Sequence, residues 1–380
     1  MNMKSLCYLL LLGCTIALAS CTSADPIEPT ALRMRKNVKN LTAQEKTDFV
    51  EAVKKLKTVE SPYDPAINYY DQFVKWHYLA FRCQPNNLDV HGYPAHMGPA
   101  FLPWHRVYLR VFEEALRDVS GKDITVPYWD WTDAASTSAV FADDFMGGSG
   151  DPANRYAVMT GPFRKGEWTV EFTDDDDVDS IFVDIETDPN PVPYLTRALG
   201  VNPAWPTVLP TAQDVATTLS VSAYDATPWD PSVDTTKSFR NSLEGWRGKS
   251  GIYCDSATKN MDAKADGSGL RSKMHNIVHV YVGGIFTPDP ANQAVRHAGS
   301  MAQNTSPNDP IFWIHHSNID RIWTAWMKRH GRSYLPVTGA HMGNNLNDVM
   351  EPWSYRKDGK NTPASVLDEE VMGFEYEALP

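Results

Sequence analysis

Apolar residues recur at helical intervals in five segments of the chain. The first segment opens with Thr42 followed three residues later by Glu45, which is a capping-box signature at a helix start. The periodicity predicts helices over about 43–57, 67–81, 105–121, 271–282 and 312–329. We therefore expect a mainly α-helical protein.

Two segments between these helices are rich in residues that interrupt regular structure. Residues 84–103 hold four prolines and two glycines, so we expect an ordered loop there. Residues 132–238 are also loop-rich and contain an acidic run at 174–177, which indicates a solvated surface or, as the alternative, a calcium site. No internal repeat and no clear linker divides the chain, which favours one domain over residues 33–380.

Composition and charge narrow the classes of function. The chain has 380 residues, of which 42% are hydrophobic and 22% charged, as in an ordinary globular protein. Its net charge is −12 and it has no lysine and arginine cluster to neutralise phosphates, so we expect no nucleic-acid partner. Beyond the N-terminus no apolar run reaches the ~18 residues of a membrane span.

The N-terminus has the anatomy of a secretory signal, with a basic residue before an apolar stretch and small residues after it. Residues 18–21 read Leu-Ala-Ser-Cys, which resembles the lipobox of bacterial lipoproteins, where cleavage before the cysteine leaves its thiol to carry a lipid. We expect an exported protein anchored through Cys21 to the bacterial envelope, at its periplasmic or outer-membrane face. Ordinary cleavage after Ala19, giving a secreted protein, is the alternative. The expected segments are a signal peptide (1–20) and a tether (21–32).

The placement of the histidines indicates a metal site. Four predicted helices carry or follow histidines: His77; His96 and His105; His275 and His279; His315 and His316. The four-residue spacing of His275 and His279 puts both imidazoles on one face of a helix. Helix bundles build metal sites in their cores from such side chains. An all-imidazole set suits copper, zinc, nickel or iron, and the residues alone do not choose among these metals.

Three long motifs resemble those of the tyrosinase family. Residues 96–106 read HMGPAFLPWHR, as in the first copper motif of that family. Residues 274–284 read MHNIVHVYVGG and residues 308–323 read NDPIFWIHHSNIDRIW, as in the two halves of the second copper motif. The segments PYWDW at 127–131 and FRNSLEGW at 239–246 also match, and the resemblance extends over about 33–378.

The resemblance implies a mainly α fold, in which an antiparallel four-helix bundle with long loops and few short strands holds a type 3 dicopper centre. It implies that one copper is held by His77, His96 and His105, and the other by His275, His279 and His316. The family uses the second member of the adjacent pair, and neighbours on a helix point about 100° apart, so His315 is left to packing. Asp320, one turn after His316, is a candidate for orienting the imidazoles.

The resemblance also implies an activity, the copper-dependent oxidation of phenols by O2. Tyrosinases hydroxylate monophenols to o-diphenols and oxidise o-diphenols to o-quinones. Glu244 and Asn276 occupy the family positions proposed to hold a water that deprotonates the phenol, whose pKa is about 10. Their presence favours tyrosinase over a catechol oxidase without monophenolase activity. A haemocyanin-like O2-binding module and a dizinc hydrolase are less favoured, because the chain has no repeats and its metal set no carboxylate.

Three further expectations concern loops and termini. Cys83 has three interpretations: a thioether to His96, as in some family members, a disulfide with Cys254, or a free thiol. The segment 248–273 is longer than the link in compact bacterial members and could displace Glu244 or cover the site. The residues after the last copper motif leave no room for a C-terminal lid domain, so we expect an enzyme active as translated.

Overall fold

A computed structural model of the protein shows the histidine-bearing helices and the segments around them. The structure describes residues 31–81, 95–171, 192–203, 207–245, 273–287 and 297–380, together with the backbone of short strands at 83–84, 87–91, 253–254 and 261–262. The expected signal peptide, the Cys21 anchor and the side chains of Cys83 and Cys254 lie outside these described residues, and so does most of the segment 248–273.

Within the described ranges the protein is mainly helical. The α-helices are α1 (Ala43–Leu56), α2 (Tyr69–Leu79), α3 (Phe101–Ser120), α4 (Ala134–Val140), α5 (Ala212–Leu219), α6 (Phe239–Glu244), α7 (His275–Gly283) and α8 (Ile311–His330). The strands are β1 (Arg33–Arg35), β2 (Cys83–Gln84), β3 (Asn87–His91), β4 (Gly150–Asp151), β5 (Ala157–Val158), β6 (Tyr253–Cys254), β7 (Met261–Asp262), β8 (Ile285–Phe286), β9 (His297–Ala298) and β10 (Phe374–Tyr376). The predicted mainly α-helical fold with short strands is confirmed. In the described ranges no helix has the length and apolarity that crossing a membrane requires.

The capping box predicted at the first helix is confirmed, and the second helix has a side-chain cap that was not predicted. At α1 the Thr42 hydroxyl accepts from the Glu45 amide at 3.2 Å, while the Glu45 carboxylate accepts from the Thr42 amide at 2.9 Å. At α2 the Asn68 side chain accepts from the Asp71 amide at 2.8 Å. Both caps satisfy amides that have no partner within the helix, which fixes where each helix begins.

The expected loop over 84–103 is wrong in part. β2 and β3 pair as a short antiparallel ladder within it, and α3 begins at Phe101, four residues before the predicted start. Pro103 lies in the first turn of α3, where an amide would have no intrahelical acceptor, so the proline costs no hydrogen bond there. The proline therefore marks the first turn of the helix and not the end of the loop. α3 ends at Gly121, whose φ of 68° is left-handed.

The loop-rich segment 132–238 contains two helices that the periodicity does not reveal, α4 and α5. The six-residue helix α6 was also not predicted, although it carries Glu244 at its last position. Helices this short bury too few apolar positions to produce a recognisable period. α7 begins at His275, four residues after the predicted start, so that this histidine is its first residue.

Aromatic side chains fill the interior between the histidine-bearing helices. Phe112 of α3 and Trp313 of α8 stack with ring centroids 3.6 Å apart and planes 2° apart. Phe73 of α2 meets both rings edge-on at 5.2 and 5.4 Å. Such large buried rings hold α2, α3 and α8 at fixed distances. A rigid core of this kind keeps the histidines of these helices in place.

A buried charge network joins the strands β1 and β10 to the helices α3 and α8. β1 pairs in parallel with β10 near the C-terminus, and Arg35 of β1 forms an ion pair with Glu113 at 2.8 Å. The Asp320 carboxylate accepts from Arg35 at 3.0 Å, from Arg106 at 2.6 Å and from Tyr376 at 2.6 Å. The expected role of Asp320 in orienting imidazoles is not supported, because in the described residues its hydrogen-bond donors are these three side chains and not an imidazole.

Candidate metal centre

One cluster of imidazoles combines α2, the loop before α3, and α3 itself. His77, His96 and His105 are each at most 2% exposed, and they can all offer a ligand atom to one point. The ring centroids of His77 and His96 are 4.8 Å apart, and those of His96 and His105 are 5.1 Å apart. The ring of Phe81 stacks on His96 at 3.8 Å and fixes the plane of the loop histidine.

A second cluster combines α7 and α8. The Nε2 atom of His275 lies 3.0 Å from Nε2 of His279 and 3.3 Å from Nε2 of His316. The Nε2 atoms of His279 and His316 are 3.4 Å apart. Three nitrogens on one tetrahedral ion, at the ~2 Å typical of a metal–imidazole bond, would be separated by about 3.3 Å. The spacing of the three nitrogens is therefore that of a shared metal ion.

The two clusters are in contact through one pair of stacked imidazole rings. His105 of the first cluster and His316 of the second stack with centroids 4.3 Å apart and planes 11° apart. Phe312, one turn before His316, packs against His77 at 4.9 Å and against His316 at 4.1 Å. This contact makes the two imidazole clusters neighbours in one buried centre.

Backbone carbonyls hold four of the imidazoles through Nδ1. The contacts are His77 with Asn304 O at 2.8 Å, His105 with Phe101 O at 2.9 Å, His279 with Met301 O at 2.7 Å, and His275 with Glu244 O at 3.3 Å. Because a carbonyl only accepts, Nδ1 carries the proton in each case and the Nε2 lone pair points away from it. Bound histidines in metal sites are oriented in the same way.

The arrangement of these nitrogens fits a bound cation. Nε2 of His77 and Nε2 of His105 are buried and have no hydrogen-bond partner. In the second cluster, Nε2 lone pairs of His275 and His279 face each other at 3.0 Å, and neither has a proton to donate. Buried acceptors without donors are costly. A metal ion in each cluster would satisfy them.

Burial keeps the imidazoles neutral. It lowers the pKa of His105 to about 3 and that of His279 to about 4. Burial, followed by the neighbouring imidazoles, also holds the pKa of His316 well below its usual range. Only the neutral imidazole has a free lone pair for a metal, so these environments prepare the side chains for binding at neutral pH.

The adjacent histidines of α8 have different surroundings. Nε2 of His316 lies 3.3 Å from Nε2 of His275 and 3.4 Å from Nε2 of His279. The ring of His315 stacks on that of His275 at 5.2 Å and lies 4.8 Å from that of His279 and 5.1 Å from that of Trp131. Both nitrogens of His315 are buried without a partner, and it is close enough to be counted with the second cluster. The closer approach to the shared point favours His316.

A small cavity opens onto both clusters. Its wall is formed by His77, Phe81, His96, His275, Asn276, His279, Met301, Ala302, Gln303 and Ser306. Most of its lining surface is apolar.

The two predicted catalytic residues differ in their relation to this cavity, since Glu244 is not among the residues that line it. Asn276 lies on the cavity wall, directly after His275. Glu244 is fully buried, and its carboxylate accepts from the Met97 amide at 2.6 Å and from Arg240 at 3.0 Å. Burial raises the pKa of Glu244 to about 7, and the charge of Arg240 opposes that rise. The catalytic role of both residues remains a prediction.

Comparison with known proteins agrees with this centre. Residues 67–329 match the family model described as the common central domain of tyrosinase. The tyrosinase of Streptomyces antibioticus is 36% identical over 341 residues, which cover 89% of this chain and 97% of that protein. The chain belongs to the tyrosinase family. Grixazone synthase of Streptomyces griseus is 33% identical over 351 residues, covering 89% of this chain and 97% of its own length.

The fold also has a relative among solved structures. A polyphenol oxidase variant from Thermothelomyces thermophila superposes with a TM-score of 0.54 over 92% of this chain and 89% of that one, at 21% identity. Members of the tyrosinase family contain a type 3 dicopper centre, and the two histidine clusters fit its two copper ions. The chain is accordingly a copper-dependent oxidase of phenols that uses O2.

Several features of this tyrosinase-family site have no sequence signature. The carbonyls of Asn304 and Met301 orient His77 and His279, although nothing distinguishes these residues in the sequence. Every residue offers a backbone carbonyl, so only the fold reveals which ones face an imidazole. Arg240, which forms an ion pair with Glu244, lies in a segment that resembles the family. Its four-residue spacing from Glu244 was a sequence signal that could have predicted this ion pair.

Proposed function

We propose that this tyrosinase-family protein hydroxylates monophenols as well as oxidising o-diphenols. One copper would be held by His77, His96 and His105, and the other by His275, His279 and His316. When bound, the two copper ions activate O2 for reaction with the phenol ring. The observation that carries the assignment is the convergence of unpartnered Nε2 atoms beneath a cavity lined by four of the histidines.

The residues of the cavity would orient the ring and exclude water. The carbonyl contacts at Nδ1 prevent the imidazoles from turning when substrate enters, which preserves the distance between the two clusters. Phe81 and Met301 supply apolar wall next to the histidines. A phenol ring packed against them would leave its hydroxyl free to face the metal side of the cavity.

Glu244 and Asn276 would assist the step that distinguishes monophenols from diphenols. A phenol with a pKa of about 10 is protonated at neutral pH and must lose its proton before the ring is hydroxylated. The Asn276 amide lies on the cavity wall, where it can bind a water, and the pKa of about 7 at Glu244 suits a group that accepts a proton near neutral pH. In our proposal the phenolic proton passes through that water towards the Glu244 carboxylate.

Oxygen uptake by the copper-loaded protein, prepared without residues 1–21, tests this function. We expect uptake with a monophenol such as p-cresol and also with the matching diphenol, 4-methylcatechol. Uptake with the diphenol alone would make the protein a catechol oxidase and would overturn the roles of Glu244 and Asn276. The absence of uptake from a protein that carries two coppers would favour an O2-binding module.

We also propose that the full-length protein is exported and anchored through a lipid on Cys21. The support is the sequence Leu-Ala-Ser-Cys at the end of an apolar signal-like stretch. Expression in a Gram-negative host should place the wild-type protein in the membrane fraction and a Cys21→Ser variant in the soluble periplasmic fraction. The same distribution for both proteins would contradict the anchor. With its net charge of −12, the protein is not expected to bind nucleic acid.

A further inference from the structure

A continuous series of aromatic rings leads from the first histidine cluster towards the surface. The ring of Trp104 lies 5.0 Å from that of His105 and 5.1 Å from that of Trp353. Trp353 in turn lies 5.4 Å from Trp76. All three tryptophans are buried, with at most 5% of their surface exposed. We refer to Trp104, Trp353 and Trp76 as the tryptophan path.

The path ends at two tyrosines on the surface. The ring of Trp76 lies 4.8 Å from that of Tyr63 and 6.1 Å from that of Tyr355. These tyrosines are 43% and 39% exposed, and their rings are 5.0 Å apart. The contact between the rings places the two tyrosines side by side. Water can take up the phenolic proton of such a partly exposed residue.

Tryptophan and tyrosine are the side chains that lose a single electron most readily. Electron transfer between aromatic rings in near contact is fast. A single electron transfer over the whole distance from His105 to Tyr63 would be slow, because electronic coupling falls steeply with separation. Contacts of 4.8–5.4 Å join every step from His105 to Tyr63. An oxidising centre therefore has a route by which it can draw electrons from the surface.

We propose that the tryptophan path carries oxidising equivalents from the copper centre to Tyr63 and Tyr355, and that this pair is the site at which the enzyme oxidises itself when no phenol is bound. The pair then forms an intramolecular dityrosine, or an external one-electron donor such as ascorbate reduces it. The path protects the imidazoles of the centre, because oxidising equivalents leave before they react with the ligands.

The step balances with H2O2 as the oxidant at the copper centre. One H2O2 takes two electrons and two protons and becomes two molecules of water. Tyr63 and Tyr355 each lose one electron and the phenolic proton, which leaves two neutral tyrosyl radicals. The radicals join through one carbon–carbon bond between ring positions next to the hydroxyls, and each ring carbon then returns its hydrogen to its own phenolic oxygen. The cross-linked protein is lighter by two hydrogens.

Peptide mass spectrometry of the copper-loaded enzyme tests the proposal. Wild-type protein treated with H2O2 in the absence of phenol should yield a cross-linked pair of peptides that contain Tyr63 and Tyr355 and lack two hydrogens. The Trp353→Phe variant should lose most of this cross-link and should gain oxygen at His105 or His77, because the path is broken. Trp76→Phe interrupts the path at another ring and should give the same result if Trp353→Phe does not fold.

Trp323→Phe is the matched control. Trp323 is as fully buried as Trp353, its indole nitrogen likewise has no hydrogen-bond partner, and it lies off the path. This variant should cross-link like the wild type, and the initial rate of phenol oxidation should be the same in all folded variants. An equal yield of cross-link in Trp353→Phe and wild type would overturn the proposal, as would the cross-link in copper-free protein.

Discussion

Glu244 links the two histidine clusters. Its carboxylate accepts from the amide of Met97, the residue after His96, while its backbone carbonyl faces Nδ1 of His275 at 3.3 Å. Arg240 fixes the other carboxylate oxygen and is itself held by Asp225 at 2.9 Å. One residue at the end of a six-residue helix thus connects the loop histidine of the first cluster with the first histidine of the second.

Removal of the Glu244 carboxylate should destabilise the protein. Glu244→Ala leaves the Met97 amide unpaired and Arg240 with a single carboxylate in a fully buried site. We expect a loss of about 3 kcal/mol in the free energy of unfolding, the range found when one partner of a buried ion pair is removed. Urea unfolding of the copper-free protein measures it.

Glu114→Ala serves as the control for that measurement. Glu114 pairs with Arg356 at 2.9 Å but is one-third exposed, so its removal should cost less than about 1 kcal/mol. Losses of similar size in the two variants would show that Glu244 does not brace the clusters.

Substitutions of Glu244 and Asn276 should separate the two activities. Glu244→Gln keeps the size of the side chain but removes its ability to take up a proton, and Asn276→Ala removes the amide from the cavity wall. Both variants should lose monophenol turnover by about 10²-fold or more, the scale of general base catalysis, and retain most of the diphenol turnover. Gln303→Ala, at another polar position of the wall, is the control. Equal losses with both substrates would contradict a role in deprotonation.

Replacement of Asp320 should affect stability and leave copper binding intact. Asp320→Ala removes the carboxylate that joins Arg35, Arg106 and Tyr376, leaving two buried guanidinium groups with fewer acceptors. We expect a loss of about 3–5 kcal/mol in the free energy of unfolding. Copper content after reconstitution should stay at the wild-type value. A stable variant that binds less copper would restore the expected role of Asp320 in orienting the imidazoles.

The copper-free protein should lose stability as the pH falls. The pKa of His105 is lowered to about 3 and that of His279 to about 4, so the unfolded chain binds protons below pH 6.5 that the folded protein does not. The free energy of unfolding does not depend on these two groups above pH 6.5, where both are neutral in the folded and the unfolded chain. Below pH 6.5, down to about pH 4, each group lowers the free energy of unfolding by about 1.4 kcal/mol per pH unit. Urea unfolding at pH 7.5 and pH 5.5 should show this decrease, and His279→Gln should reduce it. A pH-independent stability would contradict the burial of neutral imidazoles.

The helices that hold the metal site were predictable because each carries apolar residues at helical intervals, although α3, α7 and α8 begin without a side-chain cap. Thr42 and Glu45 marked the start of α1, and the HxxxH spacing placed His275 and His279 on one face of a helix, as found. The short helices α4, α5 and α6 were not predictable. Packing against longer elements stabilises them, and their own apolar periodicity is too short to recognise.

The surroundings of the histidines were less accessible from the sequence. Pro103 suggested a loop but occupies the first turn of α3, where the missing amide costs nothing. Asp320 suggested an orienting carboxylate, whereas the imidazoles are held by backbone carbonyls such as that of Asn304. Tertiary packing decides which backbone carbonyls accept from the imidazoles, and the residue type at those positions does not indicate it.

Copper content, measured together with the electron paramagnetic resonance spectrum of the oxidised protein, tests the six-histidine centre most directly. We expect two coppers per wild-type chain without a signal, because the paired ions cancel each other's spin. His77→Gln and His316→Gln should each bind one copper and give a mononuclear signal, while His315→Gln should retain two coppers and no signal. Loss of a copper in His315→Gln with retention of two in His316→Gln would contradict the assigned centre.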